Sequence, residues 1–274
     1  MTSHSKLTFV FRHPRRRQKI RTLLSNPRKV FRKYSLVLEN KLAYRFSWID
    51  SLVFRLSKER LCRFMKREKN LYDTLCTAFN CDVGYWSYRS IRPTQIPSEI
   101  KQLAKEVKQL SPRILMEIGT AKGGTLYIWS RYLESCLRII SIDLPEGLFG
   151  GGFPQTKIKF FELFAPYKEL YFLRGDSHSM EIASRVSQIL KNDKVDFLFI
   201  DGDHTYEGVK RDFEMYSKLV RPGGIIAFHD IVYHPHVPNC KVNKFWNEIR
   251  RKYTSKEIIA SENQEWAGIG VLYV

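Results

Sequence analysis

Residues 195–230, VDFLFIDGDHTYEGVKRDFEMYSKLVRPGGIIAFHD, decide the fold. The opening run, 195–200, is apolar and reads as a strand covered on both faces. Asp201-Gly202-Asp203-His204 forms the turn after it. Apolar residues at helical spacing predict a helix over 206–219, which Pro222-Gly223-Gly224 breaks. A second strand over 225–228 follows and ends in His229-Asp230.

The same alternation extends in both directions. Upstream, the pattern predicts a strand at 114–118, a Gly-rich turn, a helix over 125–133 and a strand at 138–142. A third strand at 170–173 and a helix over 180–190 complete that half. Downstream, a helix over 243–252 precedes two closing strands, 257–260 and 269–274. Seven strands alternating with helices mean an α/β fold, a doubly wound, Rossmann-like, mostly parallel sheet with helices on both faces. Ahead of it, Pro93 and Pro97 punctuate a lead-in segment. Ser98 is the expected N-cap of a helix whose stripe is Ile100, Leu103, Ala104, Val107 and Leu110, ended by Pro112.

The chain has 274 residues and a net charge of +18. Residues 1–70 hold 20 Lys and Arg against 4 Asp and Glu, so nearly all the excess charge lies there. Arg12, Arg15, Arg16, Arg17, Lys19 and Arg21 form a basic run. From Val30 through Phe46, Ile49, Val53 and Leu56, apolar residues then recur at three- and four-residue steps, continued by Leu61, Phe64 and Met65. That spacing predicts one or two amphipathic helices. The expected division is therefore a basic helical extension, 1–90, and an α/β domain, 91–274. The extension has three candidate partners: the domain itself or a second copy of the chain, an anionic membrane surface, and nucleic acid. Aromatics at 14% and hydrophobics at 43% exclude wholesale disorder. No stretch approaches the ~18 consecutive apolar residues of a membrane span. Five cysteines, at 62, 76, 81, 136 and 240, include no CxxC pair, which disfavours a disulfide framework or a zinc knuckle. With no secretion signal at the start, the expected compartment is the cytoplasm.

In such sheets ligands bind beyond the carboxyl ends of the strands. The first end reads Glu117-Ile118-Gly119-Thr120-Ala121-Lys122-Gly123-Gly124-Thr125. It is neither a phosphate-binding P-loop nor GxGxxG. Asp143, about 20 residues on, is placed to accept hydrogen bonds from a ribose diol; the plain alternative is a turn aspartate. Gly175-Asp176-Ser177 suits either an adenine edge or the N-cap of the next helix. Asp201, Asp203 and His204 crowd two carboxylates and an imidazole into four residues, which a cation or a substrate proton would relieve. Adjacent strands would bring Asp201 to Asp230, and hard carboxylate oxygens suit Mg²⁺. His234 and His236 read as ordinary loop histidines. Gly150-Gly151-Gly152, between Phe149 and Phe153, suggests a hinged lid over 146–154, with a plain surface loop as the alternative.

Taken together, the glycine turn, Asp143, Gly175-Asp176-Ser177, IDGDHTYEGVKRDFEMY and LVRPGGIIAFHDI resemble class I S-adenosylmethionine-dependent methyltransferases. Within them the pattern is similar to the branch of macrolide and macrocin O-methyltransferases and cephalosporin-hydroxylase-like proteins. The resemblance covers about residues 98–274. It implies a seven-stranded sheet with the last strand antiparallel. It implies that Glu117, Gly119, Thr120, Gly123 and Gly124 line the methionine and ribose part of S-adenosylmethionine, that Asp143 holds the ribose, and that Asp176 and Ser177 hold the adenine. Asp201 and Asp230 would be metal ligands and Asp203 the general base, with His204 the other candidate proton acceptor. Where relatives carry a second carboxylate before the last metal acid, this chain has His229.

The resemblance thus implies an O-methyltransferase acting on a hydroxyl of a sugar, glycan or other small acceptor, aided by Mg²⁺. Two readings compete. The basic extension suggests RNA as acceptor, although Asp201-Gly202-Asp203-His204 stands where base N-methylases resemble one another in an Asn/Asp-Pro-Pro-aromatic turn. A non-catalytic cofactor-binding accessory protein is the other.

Overall fold

The computed structural model describes residues 47–145 and 152–274. The chain falls into two compact units, Met1–Val53 and Phe54–Val274, and the first is described only from residue 47. The basic run, the apolar positions from Val30 to Phe46 and most of the expected lid, 146–151, lie outside the described residues.

The larger unit starts at Phe54. Helix α1, Ser47–Met65, carries fully buried Ser57 and Leu61, whereas Leu56, expected on its packed face, is 41% exposed. Helix α2, Leu71–Asn80, is capped by Asn70, whose side chain accepts a hydrogen bond from the Asp73 N–H. It buries Leu71, Leu75, Ala78 and Phe79. Between the two helices, Glu68 pairs with Arg131 at 3.1 Å and accepts a hydrogen bond from the Tyr127 hydroxyl.

Helix α3 runs Pro97–Gln109. Pro97 takes its first turn and Ile96 precedes it, so Ser98 is not the N-cap. A proline needs no N–H partner at that position, so the helix starts there without a side-chain cap. The sheet strands are β1 Ile114–Ile118, β2 Arg138–Asp143, β3 Glu169–Arg174, β4 Val195–Ile200, β5 Val220–His229, β6 Thr254–Ile258 and β7 Ile269–Tyr273. Their order is β3-β2-β1-β4-β5-β7-β6. β1 to β5 run parallel, and β7 lies antiparallel to both its neighbours. This is the expected sheet with its reversed last strand.

Every residue of β1 and β4 is buried, as their apolar runs require. On one face, the Trp129 ring meets Phe197 and Phe199 edge-on at 5.3 and 5.8 Å. The opposite face packs Met116, Ile140, Leu198, Phe213, Phe228 and Trp246 into one apolar cluster. Helices α4 Gly124–Tyr132, α5 Ile158–Phe161, α6 Met180–Leu190, α7 Tyr206–Tyr216 and α8 Val242–Ile249 complete the unit. Two predicted helices stop short: 206–219 and 243–252 each finish in a 3-10 turn, at 217–219 and 250–252. In register, Ile118 lies opposite Ile142 and Ile200, so β1, β2 and β4 end level with one another. The loops after them therefore meet at one edge.

Candidate active site

The glycine turn bridges those level ends. Gly119 N–H donates to the Ile142 carbonyl, while Asp201 N–H donates to the Ile118 carbonyl, both at 2.8 Å. Gly119 holds φ +97, and a Cβ there would fall 1.9 Å from the Asp201 carbonyl oxygen. Only glycine lets the two loops come that close. Thr120 and Ser141 share a hydrogen bond between hydroxyls. Ala121 N–H donates to Asp143 Oδ2 at 2.5 Å.

A cavity of about 440 Å³ opens here. Of the sequence-predicted residues, Gly119, Thr120, Gly124 and Asp143 line one side. Asp176 and Ser177 line another, and Asp201, Asp203 and His204 a third. Glu117, Gly123, His229 and Asp230 are not in its wall. Gly123 is the left-handed N-cap of α4, with φ +86. Glu117 is fully buried in β1, and neither carboxylate oxygen has a hydrogen-bond partner of good geometry. Burial pushes its carboxyl up to about 8, although the Thr120 and Thr125 hydroxyls pull the other way. Burial likewise pushes Asp143 up to about 6, against backbone N–H groups that include Ala121.

The N-cap reading of 175–177 does not hold. Ser179, not Asp176 or Ser177, caps α6, accepting from Ile182 N–H at 3.2 Å. That leaves both earlier residues on the cavity wall. Four ties hold their loop to α7, one of them between His178 Nε2 and the Gly208 carbonyl at 3.1 Å. Tyr216 donates its hydroxyl to the Ser177 carbonyl at 2.6 Å, Arg211 donates to the His178 carbonyl at 3.1 Å, and His178 Nε2 lies 3.2 Å from buried Asp212. That Asp212 contact, working against burial, raises the His178 imidazole.

Beneath the cavity, acids and imidazoles interlock. His229 Nδ1 lies 3.1 Å from Asp201 Oδ1 and 3.3 Å from Asp230 Oδ1. His204 reaches Asp201 at 3.4 Å through Nε2 and Asp230 at 3.2 Å through Nδ1. Burial alone would neutralise these groups, but their mutual attraction outweighs it. Asp230 is held well below the ordinary carboxyl range and His229 well above that of imidazole. Asp201 is shifted down and His204 up for the same reason. Asp230 also sits at φ +65, a strained conformation for a residue with a side chain.

The donor set fits a divalent ion. Two ligands held ~2.0–2.1 Å from an octahedral ion stand roughly 3 Å apart, close to the spacing of the Asp201, His229 and Asp230 atoms. All three offer a ligand atom within 4.8 Å of one another. An imidazole in that set favours Mn²⁺, Fe²⁺ or Zn²⁺ relative to Mg²⁺.

Sequence reasoning missed four neighbours. Gln95 Nε2 donates to Asp201 Oδ2 at 2.5 Å. His234 is buried, with Nε2 3.1 Å from Asp230 Oδ1, while His236 is exposed and lies 3.5 Å from Glu265. Cys240 adds a buried thiol beside His204 and Asp230. His178 lines the cavity wall. For Gln95 the sequence carries no signal, since 106 residues separate it from Asp201. The three others lie on loops within ten residues of a motif, which proximity alone could have flagged.

Residues 116–231 match a family model described as a methyltransferase domain. An uncharacterized protein of Acanthamoeba polyphaga mimivirus is 56% identical over 36 residues, 13% of this chain and 16% of that protein. One of Sinorhizobium fredii is 25% identical over 157 residues, 52% of this chain and again 16% of the relative. The chain thus spans about a sixth of the length of these curated relatives. Among solved structures, the O-methyltransferase TomG from Streptomyces achromogenes, involved in tomaymycin synthesis and bound to S-adenosylmethionine, superposes with a TM-score of 0.51. Its identity is 16%, with 76% of this chain and 91% of that one covered, so the likeness is one of fold. An O-methyltransferase from Bacillus cereus in complex with S-adenosylhomocysteine gives 0.48 at 20% identity, covering 66% of this chain and 84% of that one.

Proposed function

We propose, from the premise that this chain carries a class I S-adenosylmethionine-dependent methyltransferase domain, that it transfers the cofactor's methyl group to a hydroxyl oxygen of a sugar, glycan or other small polyol. One observation carries the reading. The turn and acid suited to a nucleoside, Gly119-Thr120 and Asp143, face the same cavity as Asp201, Asp203 and His204. A cofactor and a proton acceptor therefore share one chamber.

The reaction is an in-line displacement at a sulfonium: the acceptor oxygen bonds the methyl carbon, the carbon–sulfur bond breaks, and the hydroxyl proton leaves. Asp203 is the better proton acceptor of the two candidates. It lines the cavity, and its Oδ1 already accepts from Thr205 N–H at 2.9 Å, which fixes its orientation. Both ring nitrogens of His204 already face the carboxylates of Asp201 and Asp230, which raise the imidazole against its burial. A divalent ion held by Asp201, His229 and Asp230 would lower the proton affinity of the acceptor oxygen. The domain supplies the rest by positioning.

Residues 1–53 belong to the same proposal as a peripheral anchor at an anionic membrane surface, where a lipid-linked glycan would be met. In helix α1, Trp48, Leu52 and Leu56 are exposed at four-residue steps. No helix of the described residues is long and apolar enough to cross a membrane.

Isothermal titration of the full chain with S-adenosylmethionine, with and without Mg²⁺ or Mn²⁺, tests the enzyme reading. Binding that the ion leaves intact and a product formed on a polyol support it. Absent cofactor binding contradicts it, and tight, salt-sensitive RNA binding that stimulates transfer would move the acceptor to RNA.

A further inference from the structure

Gln95 is 5% exposed and faces the cavity. A carboxylate can only accept, so the amide nitrogen of Gln95 must face Asp201, and Oε1 is left over. That oxygen is buried and has no hydrogen-bond partner. An orphaned buried acceptor is costly, which points to a donor arriving with a ligand.

The segment carrying Gln95 is seated on the glycine turn. A Cβ at Gly124 would meet the Ile91 carbonyl oxygen at 2.4 Å and Pro93 Cδ at 2.5 Å. Residues 91–95 therefore lie directly over the start of α4, and Gln95 stands on Asp201, whose carbonyl abuts Gly119. Arg92, on the same segment, is an exposed rim residue of the cavity. The wall here thus offers an acceptor deep inside and a guanidinium at the mouth. That is the complement of an α-amino acid, whose ammonium donates and whose carboxylate accepts.

We propose that Gln95 and Arg92 form a clamp for the amino-acid end of the cofactor, with Gln95 Oε1 accepting from its ammonium and Arg92 pairing with its carboxylate. The inference rests on the cofactor reading above and adds residues that lie outside the matched family segment.

Two ligands separate the clamp from the rest of the pocket. S-Adenosylhomocysteine carries the amino-acid end, and 5′-methylthioadenosine lacks it. Titrated into the full chain, the Gln95→Leu variant should bind S-adenosylhomocysteine about tenfold more weakly than wild type, the loss expected when one hydrogen bond to a charged group is removed. Its affinity for 5′-methylthioadenosine should stay within about twofold, which also reports that the variant is folded. Unchanged S-adenosylhomocysteine affinity, or an equal loss for both ligands, overturns the clamp. Should Gln95→Leu not fold, Arg92→Ala, at an exposed position, carries the same comparison with the same outcomes. Wild-type protein that binds neither ligand would overturn the cofactor reading itself.

Discussion

Asp143 serves two purposes at once. One oxygen holds the glycine turn through Ala121 N–H, and the side chain lines the cavity. The turn-aspartate and ribose readings of the sequence are therefore compatible. Asp143→Ala should weaken S-adenosylmethionine binding by about 1–3 kcal/mol, the range for leaving buried polar partners unpaired. Titration calorimetry reads this directly, and an unchanged affinity removes Asp143 from the site. Glu117 makes a different prediction. Its carboxyl ionises at about 8 in the folded chain against an ordinary 4.5. Folding therefore takes up a proton between those values, so stability falls as pH rises across that window and levels off above it. Glu117→Gln should lessen that fall in thermal melts of the ligand-free protein. Parallel wild-type and variant profiles would mean that Glu117 is not buried as a neutral acid. Much of the site was legible residue by residue because acids and histidines at strand ends need a reason to be there. Gln95 was not, because its partner is brought to it only by the fold. His234 was read as an ordinary loop residue, although it stands only four residues after Asp230, onto which its loop folds back.

Among the elements, the strands and most helices were readable from periodicity, because a two-sided sheet leaves β1 and β4 no solvent face. The exceptions have physical causes. The face of α1 runs through Ser57, a small polar residue whose hydroxyl accepts from Tyr85 N–H at 2.9 Å, so hydropathy pointed to the wrong side. Pro97 displaced the expected cap. The segment 91–95 carries no periodicity, yet it closes over the glycine turn. Gly124→Ala should push it away, given the 2.4 Å approach to the Ile91 carbonyl. The expected cost is about 1–3 kcal/mol of stability, read by denaturant unfolding, with a matching loss of cofactor affinity. A variant as stable as wild type would mean the segment shifts freely. Next to that segment, the ends of β4 and β5 share the acid–imidazole cluster, which Gln95 touches through Asp201. His229 carries a proton there before any ion arrives, because Asp201 and Asp230 outweigh its burial. An ion bound at its Nδ1 must expel that proton. Mn²⁺ titrations in buffers of differing ionisation enthalpy should report proton release, and affinity should rise with pH. Binding without proton release would exclude His229 as a ligand.

At the scale of the whole molecule, charge separates what the fold does not. Residues 1–70 hold 20 of the chain's 46 basic residues and only 4 of its 28 acidic ones. Each Lys or Arg near an anionic surface adds about 1 kcal/mol of attraction. The full chain should therefore float with anionic liposomes at low salt, and a chain beginning at Ser47 should float less. Equal flotation of the two would remove the membrane role from the basic run. The central claim, however, concerns chemistry at the carboxyl edge of the sheet. It is tested most directly by following labelled methyl from S-adenosylmethionine into nucleotide sugars and glycolipids, with RNA assayed alongside. The account predicts label in an acid-stable methyl ether on a sugar, matched mole for mole by S-adenosylhomocysteine and abolished by Asp203→Asn. Label that enters RNA alone, or transfer that Asp203→Asn leaves at the wild-type rate, would contradict it.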